Sequence, residues 1–440
     1  MAAAALTNWQ NMMTELMVRE QLVFGFEHPL LSLLTGVQTS DYVYTRDPNQ
    51  NRVTEATKVG DETFTGKKVT VPLQLGDVSS GSFAEGGTFI VPAPFDTSQA
   101  TYNLIDRETP IGLSVDVIRD SRAGKTAAMS AQIAYTQSAY RFHARTDNDY
   151  LHGSAVGTSA TNGLLCNVSS NTGSAGLTIP VAGANMDQLT PGRVVSILTR
   201  SNGANPGNGL RRKIASVDRT AGSETITVST TAVASDGSSG NVTFSNLEGV
   251  YIDSPATGTQ VAPFGIGSVC ATTGTVGGLD KATVAQWQGV SVNAGNAILS
   301  DDHMDSATYL LRGNGVGAAD FGIAHPLTID PWKASKVSIS RTDAQTTMVP
   351  AGFKGIVYQG GDKEIVILKD LAAPRKTLRL VTKSSMRLYS DGEGPKFLND
   401  DGTDWRFTSR TAVLEAWLYD RWQLVARDCG KNAEITSLSE

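Results

Sequence analysis

The sequence is poor in charged residues: Asp, Glu, Lys and Arg make up 18% of its 440 residues, against about a quarter in average globular domains. Its formal net charge is -6, and no cluster of five Lys or Arg residues occurs. The basic surface of a dedicated nucleic-acid-binding protein is therefore missing. We expect no tight, sequence-specific DNA binding, and we expect much of the weakly charged surface to face other protein.

Cysteine is also scarce. Cys166, Cys270 and Cys429 are widely separated and have no metal-type spacing, which argues against a disulfide framework and a structural zinc site. The first residues lack the charged-then-apolar order of a signal peptide, and no stretch approaches the roughly 20 apolar residues of a membrane span. We expect the chain to fold in a reducing cytoplasm, away from membranes.

Motifs for catalysis, cofactors and metals are incomplete. Ala123–Thr126 resembles the end of a phosphate-binding loop, but Arg119 stands where the upstream glycine is needed. Asn399–Asp404 resembles part of a calcium loop without its final Glu. No two histidines have four-residue spacing, so a helical zinc site is not indicated; the histidines are His28, His143, His152, His303 and His325. We expect no enzyme, no cofactor and no metal; an active site of scattered carboxylates is the third alternative.

What is present indicates a turn-rich chain of two or three sub-domains, since it holds 44 glycines and exceeds the usual size of a single core. Apolar residues at helical spacing before Leu34 predict a largely helical N-terminal arm over 1–59. Over 60–100, Lys68–Leu75 alternates as a strand, with Pro72 suggesting a sheet edge. A Gly- and Ser-rich stretch and a returning run, Thr88–Val91, complete a long projecting β-hairpin.

The region 101–182 is predicted to contain the longest helix, Arg122–Leu151, which Gly153 ends. Its predicted buried stripe is Ala128, Ala131, Tyr135, Ala139 and Phe142.

Short strands separated by turns predict a small β-barrel or sandwich over 183–258; they are Val194–Leu198, Lys213–Val217, Thr225–Val228 and Asn241–Phe244. Mixed structure follows over 259–406, with a helix near Asp302–Arg312 and strands at Gly355–Tyr358, Glu364–Leu368 and Thr377–Thr382. Within 407–440, Thr408–Ala426 is predicted to form a long strand pair.

Three runs carry a family resemblance: Ala84-Glu85-Gly86-Gly87 with the prolines that follow, Ile111–Ser121 leading into the long helix, and Asp147–Gly153 closing it. In order and spacing they resemble tailed-phage major capsid proteins, continuously from about Gly60 to Gly153 and more loosely from Gly278 to Thr436. The resemblance implies the α+β Hong Kong 97-type fold: an N-terminal arm, an extended loop, a peripheral domain built on a long spine helix, and an axial domain. The β-rich segment would be an insertion on the axial domain.

The resemblance also implies a function: a structural subunit of an icosahedral phage head, forming pentamers and hexamers around double-stranded DNA. Partners would be portal and decoration proteins and a scaffolding protein, which we expect to be separate unless the chain is already processed. The assembly contacts would come from the extended loop: Lys67, Lys68, Val71, Leu73, Glu85, Gly86 and Gly87. Some family members link such a loop lysine to a neighbour's asparagine, but the residues alone favour two solvated lysines at 67 and 68.

The alternative is a non-enzymatic binding or adhesion module whose 183–258 segment recognises carbohydrate. Its support is the turn-rich composition of that segment. The missing signal peptide and the Arg122–Leu151 helix argue against it.

Overall fold

The computed structural model describes residues 30, 34, 52–53, 63–64, 68–74, 97–114, 125–153, 164–169, 174–182, 188–200, 205, 207–220, 224–232, 239–252, 263–314, 319–339, 346–348, 354–360, 363–390, 395–399, 405–407 and 413–439. Leu30 and Leu34 are helical and buried, and the rest of the predicted helix before Leu34 lies outside the described residues.

The described part holds helices α1 (Lys125–His152), α2 (Ile266–Cys270), α3 (Asp301–Gly313) and α4 (Pro326–Ile339). The first strands are β1 (Arg52–Val53), β2 (Thr63–Phe64), β3 (Lys68–Gln74), β4 (Thr97–Asn103), β5 (Ile105–Ser114), β6 (Leu164–Val168), β7 (Ser174–Gly176), β8 (Thr178–Ala182) and β9 (Val194–Thr199). Then follow β10 (Arg212–Asp218), β11 (Thr225–Ala232), β12 (Val242–Phe244), β13 (Glu248–Ile252), β14 (Thr275–Val276), β15 (Leu279–Asp280), β16 (Val290–Asn293), β17 (Phe321–Ala324) and β18 (Thr346–Met348). The last are β19 (Lys354–Gly360), β20 (Lys363–Lys369), β21 (Leu378–Val381), β22 (Met386–Ser390), β23 (Lys396–Phe397), β24 (Arg406–Phe407), β25 (Val413–Ala426) and β26 (Ala433–Thr436).

A six-stranded sheet is built around β25, which pairs with β5, β22, β23 and β24, while β1 joins β22. The β5 and β25 strands are antiparallel, from Ser114 opposite Val413 to Ile105 opposite Trp422. Alternate residues of β25 are buried from Ala416 to Trp422, as expected of a strand with one covered face, and Trp422–Ala426 are all buried. The prediction of a strand pair within Thr408–Ala426 is wrong, because β25 is one continuous strand whose long partner, β5, comes from far earlier in the chain.

Helix α1 packs on this sheet, and it confirms the predicted long helix. Ala139, Tyr140 and Ala144 contact Ile111 of β5 and Leu418 of β25 in one small apolar cluster. The predicted stripe is wrong at two positions, because Tyr135 is 53% exposed and Phe142 is 42% exposed. The buried side of α1 is instead largely polar. It packs on a sheet that also presents charged side chains.

A mixed seven-stranded sheet has the order β16-β26-β21-β17-β20-β19-β18. Apolar residues of α3 and α4, among them Met304, Leu311 and Trp332, form a second core with it. The predicted helix near Asp302–Arg312 and the three predicted strands nearby are confirmed as α3, β19, β20 and β21. Strand β26, near the end of the chain, pairs with β16 and β21 in this sheet.

Six strands close a barrel in the order β10-β11-β8-β6-β13-β9, filled by aliphatic side chains such as Ile179, Ile197 and Ile226. The four strands predicted in this region are confirmed as β9 to β12, and closure makes it a barrel rather than a sandwich. The predicted start at residue 183 is too late, because β6 and β8 are two of the six barrel strands. The barrel unit therefore begins at Leu164.

A three-stranded sheet, β2-β3-β4, lies before β5. The predicted strand from Lys68 is confirmed as β3, with Val69 and Val71 buried and Lys68 and Pro72 exposed. Its long antiparallel partner is β4, where Pro72 faces Gln99. The predicted return strand, Thr88–Val91, lies outside the described residues, and β4 takes the place expected for it. No helix in the described ranges is long and apolar enough to cross a lipid bilayer.

Candidate functional site

The structure describes three of the residues predicted to make assembly contacts. Lys68 is exposed at the start of β3, Val71 is buried, and Leu73 is half-buried against the main core. The other four, Lys67, Glu85, Gly86 and Gly87, lie outside the described residues. Within the single subunit, Val71 thus belongs to the interior while Lys68 lies on the surface.

The outward side of α1 carries the two exposed aromatic residues, Tyr135 and Phe142, with exposed Arg141 beside them in sequence. Large apolar residues are exposed elsewhere too: Leu247, Ile298, Tyr309, Leu310, Leu327, Leu371 and Phe407. Single exposed apolar residues are normal on protein surfaces, so only contiguous groups of them indicate an interface.

The inward side of α1 carries a buried charged cluster. His143 and Asp147 are one helical turn apart, and they face the β5–β25 pair, where Arg107 lies opposite Asp420. The His143 Nε2 atom is 3.5 Å from Asp147 Oδ2 and 4.0 Å from Asp420 Oδ2. We call His143, Asp147, Asp420 and Arg107 the α1 junction.

Further contacts fix the groups of the α1 junction. Thr109 Oγ1 is 2.8 Å from His143 Nδ1, so the hydroxyl orients the imidazole. Asp147 Oδ1 forms an ion pair with Arg107 and accepts a 3.2 Å hydrogen bond from the indole of Trp422. The Arg107 guanidinium also lies over the ring of Tyr150, 4.5 Å from its centroid.

Burial governs the protonation of His143 in the α1 junction. Burial lowers the pKa of His143 well below its ordinary value, and the charge of Arg107 lowers it further, so the imidazole is neutral at pH 7. Burial also lowers the pKa of Arg107, while Tyr150 and the nearby carboxylates act in the opposite direction. A guanidinium keeps its proton in proteins. Two carboxylates, a neutral imidazole and a guanidinium thus lie together between α1 and its sheet.

A second buried contact joins α1 to the barrel. Arg193, just before β9, donates a 2.6 Å hydrogen bond to Asp149, and both side chains are buried. Arg193 and Arg145 also donate to the carbonyl oxygen of Gln188, at 2.9 and 3.0 Å. The barrel is thus attached to the helix by charged hydrogen bonds rather than by apolar packing alone.

A third contact joins the end of α1 to the seven-stranded sheet. His152 Nε2 is 2.9 Å from Asp370 Oδ2, and both groups are buried. Arg379 of β21 donates to the carbonyl oxygen of His152 at 2.5 Å. The last turns of α1 are therefore where the six-stranded sheet, the barrel and the seven-stranded sheet are held together.

The buried Lys281 has a structural role. Its ammonium donates to the carbonyl oxygens of Ser268, Val269 and Ala271, at 2.8, 2.8 and 2.5 Å, at the end of α2. All three cysteines are buried and free, and burial raises the pKa of Cys270 and of Cys429 to about 12. Burial thus favours the protonated form of both thiols.

Sequence reasoning missed the α1 junction. Among the described residues, His143, Asp147 and Asp420 are the one group of three side chains spaced to hold a metal ion. The four-residue spacing of His143 and Asp147 on a predicted helix was an available signal. The sequence could not predict that Asp420 lies beside them, because Asp420 belongs to a strand that is distant in the chain.

Comparison with known proteins supports a fold assignment. No family model matches the sequence, and no curated protein matches it. Among solved structures, the cyanophage A-1(L) capsid asymmetric unit matches at a TM-score of 0.53 and 12% identity, over 94% of this chain and 93% of that chain. The chain has a phage capsid fold. This confirms the capsid fold expected from the resemblance.

Two other structures match at lower TM-scores. The capsid of an empty GTA particle has a TM-score of 0.41 and 10% identity, over 88% of this chain and 87% of that chain. The SrpI encapsulin of Synechococcus elongatus PCC 7942 has a TM-score of 0.41 and 9% identity, over 84% and 82%. The capsid fold assignment rests on the cyanophage subunit.

Proposed function

We propose that this chain is the structural subunit of an icosahedral phage head, which self-assembles into a shell around double-stranded DNA. The observation that carries the proposal is the match to the cyanophage A-1(L) capsid subunit along nearly the full length of both chains. The capsid fold accounts for α1 and for both large sheets, which a β-rich adhesion module does not need. We therefore favour the shell subunit over that alternative.

The proposed arrangement is of the Hong Kong 97 type. Helix α1 would be the spine helix, and with the six-stranded sheet it would form the peripheral domain. The seven-stranded sheet with α3 and α4 would form the axial domain, and the barrel would be the insertion. The β2-β3-β4 sheet would be the base of the extended loop, and residues 1–59 the N-terminal arm. The three buried contacts of α1 support this arrangement, since they join these units through one helix.

Shell formation would rest on many modest contacts repeated by symmetry, so no single residue needs to dominate. The extended loop would contribute Lys67, Lys68, Glu85, Gly86 and Gly87, and Leu73 at its base. Val71 would act indirectly, by holding β3 in the core. In this role the protein needs no catalytic site. The low charge content suits a wall that encloses DNA without binding it tightly.

The proposed location is the virion, after assembly in the host bacterium, with scaffolding, portal and decoration proteins as partners. The test is to express the chain with and without its neighbouring phage genes, and to analyse the product by size-exclusion chromatography and negative-stain electron microscopy. Closed shells, or uniform rings of five or six subunits, are expected. A monodisperse monomer under every condition, including with a candidate scaffolding protein, would contradict the proposal.

A further inference from the structure

We propose that His143, Asp147 and Asp420 bind a divalent transition-metal ion, with zinc as the best fit, beneath α1. These three residues offer one nitrogen and two carboxylate oxygens, all within 4.8 Å of one another. The site lies inside the single subunit and does not depend on shell assembly.

The spacing of the ligand atoms suits a tetrahedral zinc ion. Zinc bonds to His nitrogen and carboxylate oxygen put two ligand atoms about 3.3 Å apart in tetrahedral geometry. The His143 Nε2 atom is 3.5 Å from the Asp147 oxygen and 4.0 Å from the Asp420 oxygen. The three atoms lie within 4.8 Å of one another, so small movements of the side chains would bring them to bonding distance of one ion.

The imidazole of His143 points independently to a ligand. Its side chain has 0% exposure, and its Nε2 atom has no hydrogen-bond partner although it faces both carboxylates. A separation of 3.5 Å is too long for a good hydrogen bond. Buried polar atoms are nearly always partnered, so a ring nitrogen that faces two carboxylates without a hydrogen-bond partner is available as a metal ligand.

Neighbouring side chains hold the ligand atoms of His143 and Asp147 in position. Thr109 occupies Nδ1 of His143, which leaves Nε2 for the ion. Arg107 and Trp422 bind Oδ1 of Asp147, which leaves Oδ2 pointing at His143. Metal ligands in proteins are usually oriented by such outer hydrogen bonds, which fix the tautomer and the direction of each ligand atom.

Charge and ligand type decide the class of ion. The site offers two carboxylate oxygens and one imidazole nitrogen, which attract and coordinate a cation. Calcium prefers six to eight oxygen ligands and magnesium keeps several waters, so an imidazole with two carboxylates suits zinc better. The fourth tetrahedral position is left for a water molecule.

A bound ion would tie α1 to β25, although Asp420 follows Asp147 by more than 270 residues in the sequence. Zinc binding is therefore expected to stabilise the packing of α1 on its sheet. It would also set a dependence on zinc for subunit folding.

The test uses the full chain, stripped with EDTA and then titrated with zinc, with metal content measured by inductively coupled plasma mass spectrometry. One zinc ion per subunit is expected, and zinc at a hundredfold excess over its dissociation constant is expected to raise Tm by about 3 °C for a chain of this length. His143→Gln keeps a polar group near Thr109 and is expected to abolish both effects. The matched control is His152→Gln, which alters the other buried histidine of α1 and is expected to keep the zinc.

Cobalt(II) substitution decides the question even if the His143 variant fails to fold. Wild-type protein is expected to show the intense visible bands of tetrahedral cobalt, and Asp420→Asn to lose them. Wild-type protein with neither these bands nor a zinc-dependent rise in Tm would overturn the proposal. Equal zinc content in wild type and His143→Gln would overturn it too, since the ion would then be bound elsewhere.

Discussion

Charged side chains buried along the second half of α1 are the notable feature at the scale of residues. Asp147, Asp149 and His152 each contact a different unit of the fold, and each partner side chain is at most 10% exposed. Burying a charge is costly unless a partner and further hydrogen bonds compensate it. These residues therefore couple the units strongly, because breaking any one pair strands a charge in the interior.

Arg193→Met is expected to lower the free energy of unfolding by about 3–5 kcal/mol, because Asp149 then stays buried without its partner. Urea unfolding of unassembled subunits measures this change. The matched control is Lys369→Met, since the Lys369–Asp330 pair is largely exposed and is expected to contribute about 1 kcal/mol or less. Equal losses in the two variants would refute the role of the Arg193 pair.

Glu434 is expected to make the free energy of unfolding depend on pH, and the direction of its pKa shift gives the sign. Burial raises the pKa of Glu434 above its ordinary value of 4.5, although Arg379 and Lys281 lower it in part. The folded state thus binds this proton more tightly than the unfolded state does. The stabilising contribution of Glu434 is fully present below the ordinary pKa and is lost as pH rises through the folded-state pKa.

The experiment compares wild type with Glu434→Gln, which does not titrate. The stability of wild type relative to the variant is expected to fall as pH rises from 4.5, by at most about 1.4 kcal/mol per pH unit. Urea midpoints across this range measure the difference. A relative stability that increases with pH would show the opposite pKa shift.

At the scale of elements, β25 and α1 organise the molecule. The strand is long enough to pair with four others, and the helix lies across it and β5. The sheet-facing side of α1 holds His143 and Asp147, whereas Tyr135 and Phe142 face outward. A helix with a polar buried side cannot be oriented by apolar periodicity, because that method assumes that buried means apolar.

The end of α1 leaves no room for a side chain at Gly265, where α2 begins. A Cβ atom there would lie 2.6 Å from the Gly153 carbonyl oxygen and 2.7 Å from that of Leu151. These atoms belong to the backbone and cannot swing aside. Gly265→Ala is therefore expected to cost about 1–3 kcal/mol, through displacement of α2 from the helix end.

Thermal or urea unfolding of Gly265→Ala tests this packing. Gly313→Ala is the matched control, because nothing lies within 4 Å of a Cβ at the exposed end of α3. There the change is expected to be neutral or stabilising by up to about 1 kcal/mol, since alanine favours helix. A Gly265→Ala protein as stable as the Gly313 variant would contradict the close approach.

At the scale of the whole molecule, three units meet at α1, while the β2-β3-β4 sheet is built from local pairings. The 75–96 segment joins β3 to β4, so the ladder between these strands can be closed by a short turn. The effect of the 75–96 segment on shell assembly can then be measured separately from its effect on subunit folding.

Replacing 75–96 with a short Gly-rich turn is expected to leave a folded subunit that does not form closed shells, because the segment proposed to contact a neighbour is gone. Circular dichroism and Tm check folding, and negative-stain microscopy checks assembly. A scrambled 75–96 segment of equal length separates a need for loop length from a need for its side chains. Intact shells from the turn variant would exclude an assembly role for the loop.

The sequence by itself determined the elements whose patterns are local: α1, α3, β3 and the strands β9 to β12 follow from spacing, turns and glycine stops. It also supported the capsid fold, through short runs such as Glu85-Gly86-Gly87. The tertiary structure alone decided that β6 and β8 close the barrel, that β26 pairs within the seven-stranded sheet, and that Asp420 joins His143 and Asp147. These outcomes depend on pairings between distant segments, and local periodicity holds no information on which partner a strand or a buried charge will meet.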